Sequence, residues 1–525
     1  MQRVRPVRKT HQHVTPPALG ALAVASARGP IASNRTAVGT QGKRRATPPS
    51  CGTGPRTADF VQPGLPSATL TVRTRGGWKA MVWHWWRRRT FRGGIFVPDE
   101  KAATARQSIR SFTPRGPLLI PLCHSQHLPT RPIAREGADV CCGDVLADPD
   151  GPRSLPVLAP LAGRLGPRRR AWTSAEGWLP AIELTPAESS PALPTEPRSP
   201  PRTLDELTSL ARRNAVLIPE HREPLHVALT GPRPPDVLII DGLETQPGLT
   251  ADLRLLVERT DELVQTAGWL ADVQLDGRRV FDRVVLTLSL RHRRLVRRVR
   301  TLAPHRRLEI APLEDKYPQS HPTLLTLVIT RRRTPPGGRD RDVGVLVIPV
   351  ATLAALSDAV SGKAPIARVL TVAGEAADRP ANLLVPFGTR VSELVEYASP
   401  ARRPAALIAG GPMTGVRVLH DEAVTTPDLA GLTLLRHTAQ PEPTTCIRCG
   451  SCMDDCPVGL DPRVLVQFET AVSLKAAVAE QTAVCIDCGV CSYVCPSSLP
   501  LALTIQRMRR RAQLERAALA TMHAS

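Results

Sequence analysis

The sequence contains few aromatic residues, no long apolar run and few cysteines outside its C-terminal region. Aromatic side chains make up 3% of the 525 residues, which argues against a nucleic-acid-binding surface built on base stacking. No run reaches the roughly 18 apolar residues that a membrane-spanning helix needs; the longest, residues 343–356, contains Pro349 and is typical of a strand leading into a helix. No signal peptide is recognisable, so we expect the cysteines to meet a reducing cytoplasm.

Acidic residues are almost absent from the first 76 residues, which hold twelve Lys and Arg but only Asp59, and so carry half of the net charge of +22. A basic balance suggests nucleic acid or an anionic membrane as a partner, but the other arginines are scattered, which is typical of a solvated surface. Residues 1–80 show no hydrophobic periodicity, and we predict that they are disordered and not part of the native protein. Translation is predicted to start at Met81.

A short aromatic and basic segment follows Met81. Its tryptophans are Trp83, Trp85 and Trp86, and arginines occupy positions 87–89. Indole rings and guanidinium groups suit a membrane interface. Because the segment is short for an interfacial helix, it can equally cap the next domain.

Eight of the twelve cysteines lie in two matching runs near the C-terminus, which begin at Cys446 and Cys485. Each run has the spacing C-x2-C-x2-C-x3-C-P, the bacterial ferredoxin pattern for a 4Fe-4S cluster, in which the fourth cysteine ligates the other cluster. Gly450 and Gly489 let the backbone approach the cluster closely. The predicted ligands are Cys446, Cys449, Cys452 and Cys495 for cluster 1, and Cys485, Cys488, Cys491 and Cys456 for cluster 2.

Zinc and disulfides are the alternatives for these cysteines. A tetrahedral zinc site needs four ligands and leaves four cysteines unexplained, and clustered cysteines in a chain without export signals disfavour disulfides. The spacing therefore favours two 4Fe-4S clusters. Cys123, Cys141 and Cys142 lack metal-ligand spacing and are expected to be buried or inert.

Further modules precede the cysteine runs. Short strands separated by Gly and Pro within residues 81–184 predict a barrel-sandwich-hybrid-like β module, similar to lipoyl domains but without a lysine in its apex turn. Residues 185–202 form a Pro-rich linker. Residues 366–436 are again rich in predicted strands.

Residues 203–365 alternate between strands and helices, which predicts an α/β domain with parallel strands. We predict strands at 237–241, 283–289, 308–311, 324–330 and 343–350, and helices at 250–268, 292–302 and 352–361. The cluster domain spans residues 437–510, where Asp461 caps and Pro462 opens a helix between the cysteine runs. A tail, 511–525, follows.

The order of these landmarks resembles the C subunit of the Rnf-type ion-translocating electron transport complex, from about Thr90 to Arg507. The motifs that carry the resemblance are residues 93–101, 316–319, 369–375, 382–389 and 410–415, together with both cysteine runs. The resemblance implies a multidomain α/β fold: a barrel-sandwich-hybrid-like β module, a domain like the flavin subunit of respiratory complex I, a β-grasp (SLBB-like) module and an α-helical two-cluster ferredoxin domain.

The nucleotide site departs from that family. In place of its glycine-rich phosphate loop, residues 212–219 contain no glycine, and Ala, Val and Leu are not expected to supply close backbone approach or positive φ angles. Asp241 replaces an asparagine and adds negative charge, and residues 320–322 replace the family's Gly-Gly-Glu continuation. We therefore expect FMN and NADH binding to be lost, unless flavin binds through different residues.

Together these features predict that the chain is an electron-transfer subunit that passes single electrons through two 4Fe-4S clusters. The complex to which it belongs is expected to be membrane-associated and of the ion-translocating type. Its expected partners are membrane subunits of an Rnf-like complex and a soluble carrier such as ferredoxin, and its expected place is peripheral, on the cytoplasmic face of the cell membrane. The alternatives are a soluble flavin-dependent reductase of the cobalamin-reductase type and an iron–sulfur nucleic-acid-binding protein. No acid–base dyad or nucleophile is visible, so no catalytic residue is assigned and enzymatic activity of the chain itself stays open.

Overall fold

The computed structural model describes residues 89–187, 198–231, 234–303, 307–420, 422–437, 442–471, 474 and 476–524. The predicted basic tail, the predicted start at Met81 and the tryptophans that follow it lie outside these residues. So does most of the predicted Pro-rich linker.

The first described module is a β structure made of two small sheets. The strands up to residue 186 are β1 (Ile109–Ser111), β2 (Leu118–Pro121), β3 (Thr130–Pro132), β4 (Asp139–Val140), β5 (Val145–Pro149), β6 (Val157–Leu158), β7 (Gly163–Thr173) and β8 (Gly177–Pro186). One sheet has the order β2-β8-β7-β4 and the other β3-β5-β6. Leu118, Leu146 and Leu184 are fully buried in the core that both sheets share, as the predicted barrel-sandwich hybrid requires.

The α/β domain is built on a parallel sheet of order β15-β14-β11-β16. Its strands are β9 (Leu217–Ile218), β10 (Glu223–Pro224), β11 (Val237–Gly242), β12 (Gln274–Leu275), β13 (Arg278–Arg279), β14 (Arg283–Ser289), β15 (Leu308–Leu313) and β16 (Val345–Pro349). Its helices are α1 (Leu204–Arg213), α2 (Leu225–Leu229), α3 (Ala251–Glu258), α4 (Thr260–Leu270), α5 (Arg293–Leu302), α6 (Pro322–Thr330) and α7 (Val350–Val360), with a 3-10 turn at Asp340–Val343.

Successive residues of β11 enter two different cores. Leu238 and Ile240 pack in one hydrophobic cluster, whereas Val237 and Ile239 pack in another on the opposite face. A parallel sheet is normally covered on both faces, which explains why β11 is a continuous apolar run rather than an alternating one.

Two predictions in the α/β domain were inaccurate. Residues 324–330, predicted as a strand, form most of helix α6. A short apolar run rich in β-branched residues cannot be told from a buried helix by periodicity. The overlooked signal was the start of the helix, where His321 accepts a hydrogen bond from the Thr323 N–H and Pro322 occupies the first turn. The predicted helix 250–268 is divided at Arg259 into α3 and α4.

The β-grasp module contains strands β17 (Ala367–Ala373), β18 (Ala381–Pro386), β19 (Ala406–Ala409), β20 (Val416–Arg417) and β21 (Gly431–Leu435), and helix α8 (Val391–Ala398). Its sheet has the order β1-β18-β17-β21-β19-β20. Strand β1, which precedes the first β module in the chain, runs parallel to β18 at one edge. The chain therefore contributes an edge strand to the β-grasp sheet before it forms the first β module.

The C-terminal domain is helical, with α9 (Ser451–Asp454), α10 (Pro462–Leu465), a 3-10 turn at Val466–Phe468, α11 (Ala476–Val484), α12 (Val490–Tyr493) and α13 (Leu501–Ala524). The predicted cap is confirmed, because the Asp461 carboxylate accepts a hydrogen bond from the Val464 N–H at 3.3 Å. Leu465 packs in a core with Ile505 and Met508 of α13. Among the described helices, none combines the length and apolar character that crossing a membrane would require.

Candidate cluster sites and the cleft beside them

The two cysteine runs follow the same backbone path. Helices α9 and α12 each start after a glycine in the left-handed region, Gly450 with φ 87° and Gly489 with φ 78°. Two residues before each glycine, Arg448 and Asp487 also have positive φ, 59° and 55°. The left-handed region favours glycine over any side chain, so the sequence repeat is also a repeat of local conformation.

The first set of predicted ligands surrounds one cavity of about 270 Å³. Its walls include Cys446, Cys449 and Cys452 of the first run and Cys495 of the second. Cys446 and Cys449 are exposed, and Cys452 is buried. We call this the open site.

The second set of predicted ligands converges around the start of α12. Burial, together with the nearby Cys485 and Cys456 thiols, raises the pKa of the Cys488 thiol to about 12. Burial likewise raises the pKa of Cys491 to about 12, with the same two thiols and Cys488 as neighbours. Cys456 of the first run therefore lies among the three cysteines of the second, and we call these four residues the enclosed site.

Both sites fit a 4Fe-4S cluster in their chemistry. Each gathers three cysteines of one run and the fourth of the other, as crossed ferredoxin ligation requires. Buried thiols with raised pKa values would release protons on binding the cluster as thiolates. Within the described part of the chain, no three His, Cys, Asp or Glu side chains lie close enough to hold a single metal ion. The ligand assignment stays a prediction.

Tyr317 connects the α/β domain to the enclosed site. Its side chain is 2% exposed, and its hydroxyl donates a hydrogen bond of 2.6 Å to the Cys488 carbonyl. The Gln246 amide donates to the Thr414 hydroxyl of the β-grasp module at 2.7 Å and lies 3.4 Å from the Tyr317 hydroxyl. Burial raises the pKa of Tyr317, so the phenol keeps its proton. Three domains therefore meet at one ligand-bearing loop.

The N-terminal Gly-Gly-Ile motif contacts the same region from another side. The Gly94 N–H donates to the Asp455 carbonyl at 2.8 Å, and Ile95 pairs with Tyr317 in a short antiparallel bridge. A β-carbon on Gly93 would lie 2.5 Å from the Cys456 carbonyl, which only glycine avoids. This motif belongs to residues 93–101 and Tyr317 to residues 316–319. Both stretches are recognisable in the sequence, but their contact is not predictable from it.

A cleft of about 1010 Å³ separates the α/β domain from the cluster domain. Cys456 and Cys485 of the enclosed site line it on one side, and His221, His321 and Asp340 line it on the other. Burial, with help from His221, lowers the pKa of His321 to about 4, so this ring is neutral at pH 7. The cleft brings His221, His321 and Asp340 of the α/β domain beside the enclosed site.

The loop that replaces the glycine-rich sequence is packed into the protein. Val216 is 1% exposed and Ile218 is fully buried, and the Val216 N–H donates to the Ala211 carbonyl at 2.9 Å. The Ala215 N–H donates to the Arg212 carbonyl at 3.2 Å. Since these N–H groups have partners within the chain, they are not directed at a phosphate.

Two details of the nucleotide site differ from expectation. Ala215 has φ 51°, so the prediction that this loop cannot adopt positive φ was wrong at one residue, at a cost of about 1–2 kcal/mol for an L-residue. Burial raises the pKa of Asp241 to about 7, so the negative charge expected from the sequence is weakened at pH 7. Its oxygen accepts hydrogen bonds from the Leu243 N–H at 3.0 Å and the Thr287 hydroxyl at 3.3 Å.

The remaining cysteines of the first β module are not grouped. Cys141 is exposed, whereas Cys123 and Cys142 are half-buried. Burial raises the pKa of both half-buried thiols, which makes them poor nucleophiles. Cys141 is not buried, so for this residue only the expectation of inertness remains, and it stays a prediction.

Three family descriptions match parts of the chain. Residues 89–175 match the RnfC barrel sandwich hybrid domain, residues 221–358 match the Nuo51 FMN-binding domain, and residues 445–499 match a 4Fe-4S dicluster domain. The Nuo51 match begins after the glycine-free loop at residues 212–219.

Three curated relatives, each the C subunit of a translocating complex, are similar over most of the chain. The C subunit of an ion-translocating oxidoreductase complex from Rhodobacter capsulatus is 32% identical to this chain, and the match covers 71% of this chain and 73% of the relative. The C subunit of a proton-translocating ferredoxin:NAD(+) oxidoreductase complex from Clostridium ljungdahlii is 28% identical, and the match covers 72% of this chain and 84% of the relative. The C subunit of a Na(+)-translocating ferredoxin:NAD(+) oxidoreductase complex from Acetobacterium woodii is 27% identical, and the match covers 72% of this chain and 87% of the relative.

Proposed function

The chain belongs to the family of C subunits of ion-translocating oxidoreductase complexes, and on this premise we propose that it passes single electrons through two 4Fe-4S clusters to or from the membrane subunits of such a complex. The observation that carries the proposal is the arrangement of the cysteines into an open and an enclosed set, each completed by the other run. The similarity to these C subunits favours neither of the alternative functions, a cobalamin-reductase-type enzyme or an iron–sulfur nucleic-acid-binding protein.

The residues of each site have assigned roles in this proposal. Cys446, Cys449, Cys452 and Cys495 hold the cluster of the open site, and Cys485, Cys488, Cys491 and Cys456 hold that of the enclosed site. A bound cluster supplies one-electron redox chemistry at a potential that hydrogen bonds and burial adjust. The Tyr317 hydroxyl fixes the Cys488 loop, and Ile486 of the same loop packs against the core of the α/β domain.

The two sites differ in the solvent exposure of their cysteines, and this difference suggests the order in which electrons pass through them. Cys446 and Cys449 of the open site are exposed, so an external protein can approach the open site more closely than the enclosed one. We assign exchange with a soluble carrier to the open site and the internal step to the enclosed site. Two relatives are named for ferredoxin, and the half of the net charge of +22 that lies outside the first 76 residues favours encounter with an acidic ferredoxin.

The chain does not bind FMN or oxidise NADH in this proposal. Flavin is the group that converts a two-electron hydride donor into single electrons. The N–H groups of Ala215 and Val216 are used within the chain, and Asp241 replaces the asparagine expected from the resemblance. Electrons therefore arrive one at a time, from ferredoxin or from a flavin-bearing subunit.

The chain is assigned to the cytoplasmic face of the cell membrane as a peripheral subunit. Its relatives are named as subunits of ion-translocating complexes, which work across a membrane. Attachment then depends on partner subunits and on the segment that contains Trp83. High salt or alkaline wash should release the chain from membranes, whereas retention under both conditions would contradict peripheral attachment.

An anaerobic reduction experiment tests the proposal. Purified protein with both clusters is mixed either with NADH and added FMN, or with reduced ferredoxin, and cluster absorbance is followed. We expect bleaching by ferredoxin only. Stoichiometric bleaching by NADH that saturates with flavin would show a working nucleotide site and overturn that part of the proposal. Failure of ferredoxin to bleach a protein that dithionite does reduce would exclude it as the carrier.

A further inference from the structure

Helix α5 presents a concentrated basic surface on the α/β domain, away from the residues assigned to electron transfer. Half of its ten residues are arginine, and it contains no acidic residue. Its apolar residues face the domain core: Leu295, Val296 and Val299 are buried, and the half-buried Leu302 packs against the same core. The exposed residues of the helix and the preceding turn include Arg291, Arg293, Arg294, Arg297, Arg298 and Arg300.

The arginines of this helix are only partly neutralised. Arg291 pairs with Asp99 and with Asp315, the latter at 3.0 Å. Arg298 pairs with Asp261 at 2.7 Å. Within the described ranges, Arg293, Arg294 and Arg297 have no ion-pair partner.

The arginines of α5 lie at positions that are mutually unfavourable. Arg293 and Arg297 lie one helical turn apart, as do Arg294 and Arg298, and like charges at this spacing destabilise a helix. Arg293 and Arg294 also lie in the first turn, where no acid is present and where the helix dipole disfavours positive charge. Opposite charge from another molecule would relieve this repulsion.

The arginines border a shallow, open groove. The groove measures about 620 Å³, and Val257 and Thr260, at the junction of α3 and α4, form its other wall. Five arginines line it: Arg291, Arg293, Arg294, Arg297 and Arg298. A concave basic groove suits an inserted chain of carboxylates, to which each guanidinium can donate two hydrogen bonds.

We propose that this groove, between α5 and the α3–α4 junction, binds a carboxylate-rich segment of a partner protein. A membrane surface is less suited, because helices that dock on lipid direct apolar side chains outward, whereas those of α5 face the core. Single-stranded nucleic acid is less suited because no Phe, Tyr or Trp lines the groove, where His292 is the one ring among the described lining residues, and binding of single strands relies on several stacked bases. The surface is separate from both cluster sites, so the proposal does not depend on the assigned electron path.

The test compares two charge-matched variants of the full chain. The groove variant carries Arg293→Gln, Arg294→Gln and Arg297→Gln. The control variant loses the same charge at three exposed arginines in other modules, Arg110→Gln, Arg135→Gln and Arg417→Gln. Iron content and circular dichroism of both variants are compared with the wild type, and the single variant Arg297→Gln replaces the triple one if the latter fails to fold.

Three probes are titrated at low and high salt: a fluorescent oligoglutamate peptide, vesicles of phosphatidylcholine with phosphatidylglycerol, and a single-stranded oligonucleotide. We expect the groove variant to bind the peptide about tenfold more weakly than the wild type, which is what three exposed charge contacts supply, and the control variant to bind within about twofold of wild type. Wild-type binding should weaken with salt.

Other outcomes overturn the proposal. Equal losses in the two variants would mean that the peptide responds to net charge alone. Vesicle or oligonucleotide binding that is tighter than peptide binding and depends on Arg293, Arg294 and Arg297 would assign the surface to lipid or to nucleic acid instead.

Discussion

The open and enclosed sites have matching sequences and backbone angles but different surroundings. Cys446 and Cys449 are exposed, whereas Cys485 and Cys488, at the same positions of the second run, are half-buried. The residue after the first cysteine shows the same contrast, since Ile447 is 68% exposed while Ile486 packs against the core of the α/β domain. A repeated motif thus supplies the cysteines of both sites, and the rest of the chain determines which site is the more exposed.

Removing single ligands should have the largest effect on this comparison. Cys449→Ser should abolish the reduced-state EPR signal of the open-site cluster, and Cys488→Ser that of the enclosed-site cluster, with iron content falling by about half in each. Cys456→Ser, although in the first run, should damage the enclosed-site cluster. Cys141→Ser, outside both runs, serves as the control. Loss of only the open-site signal in Cys456→Ser would contradict crossed ligation.

The two glycines before α9 and α12 should differ in their tolerance of a side chain. Both have positive φ, so alanine costs about 1–2 kcal/mol at either. At Gly489 the new β-carbon would also lie 2.5 Å from the Met413 carbonyl, whereas at Gly450 the nearest atom, an Asp454 carboxylate oxygen, is 3.8 Å away. We expect Gly489→Ala to lower the urea midpoint clearly more than Gly450→Ala. Equal shifts would show that the Met413 contact is unimportant.

Loss of the Tyr317 hydroxyl should alter the enclosed site alone. Tyr317→Phe leaves the Cys488 carbonyl without its donor, which costs about 1–3 kcal/mol for a buried acceptor. A donor that polarises this carbonyl favours the more negative, reduced cluster, so its removal should lower the midpoint potential of the enclosed-site cluster. EPR-monitored redox titration measures both potentials, with Tyr397→Phe as control. An equal shift at the open site would argue for a general loss of structure.

The smallest expected effect concerns the paired isoleucines. Ile486→Ala should destabilise the protein by about 1–2 kcal/mol, because a half-buried side chain loses its contacts with the α/β core. Ile447→Ala should change stability by less than about 0.5 kcal/mol, as expected for an exposed position. Thermal unfolding of both variants tests the difference. A larger loss from Ile447→Ala would mean that the open site is covered in solution.

The cysteine sets could be predicted from sequence because their information is local. Spacing alone indicated the crossed sets that the structure brings together around α9 and α12, and Asp461 with Pro462 indicated the start of α10. The strands β11, β14 and β15 were also predictable, because buried parallel strands form short apolar runs between helices. The same rule misled at residues 324–330, where an apolar run of similar length forms α6.

What the sequence could not predict depends on contacts between distant residues. Gly93 needs to be glycine because of the Cys456 carbonyl, more than 300 positions away, and the buried Tyr317 is explained only by its bond to Cys488. Ala215 shows the reverse case. Its side chain argues against positive φ, yet the turn after α1 imposes it. Propensity is a weak guide where tertiary structure determines the backbone.

Reduction of single-cluster variants by ferredoxin tests most directly whether the open site exchanges electrons with the carrier. Reduced ferredoxin is mixed anaerobically in a stopped-flow instrument with the wild type, with Cys488→Ser, which retains the open-site cluster, and with Cys449→Ser, which retains the enclosed-site cluster. Iron content and dithionite reduction verify the remaining cluster in each. We predict that Cys488→Ser is reduced at the wild-type rate and Cys449→Ser at least about tenfold more slowly, since its cluster lies farther from the docked carrier. Reduction of Cys449→Ser as fast as the wild type would contradict the assignment.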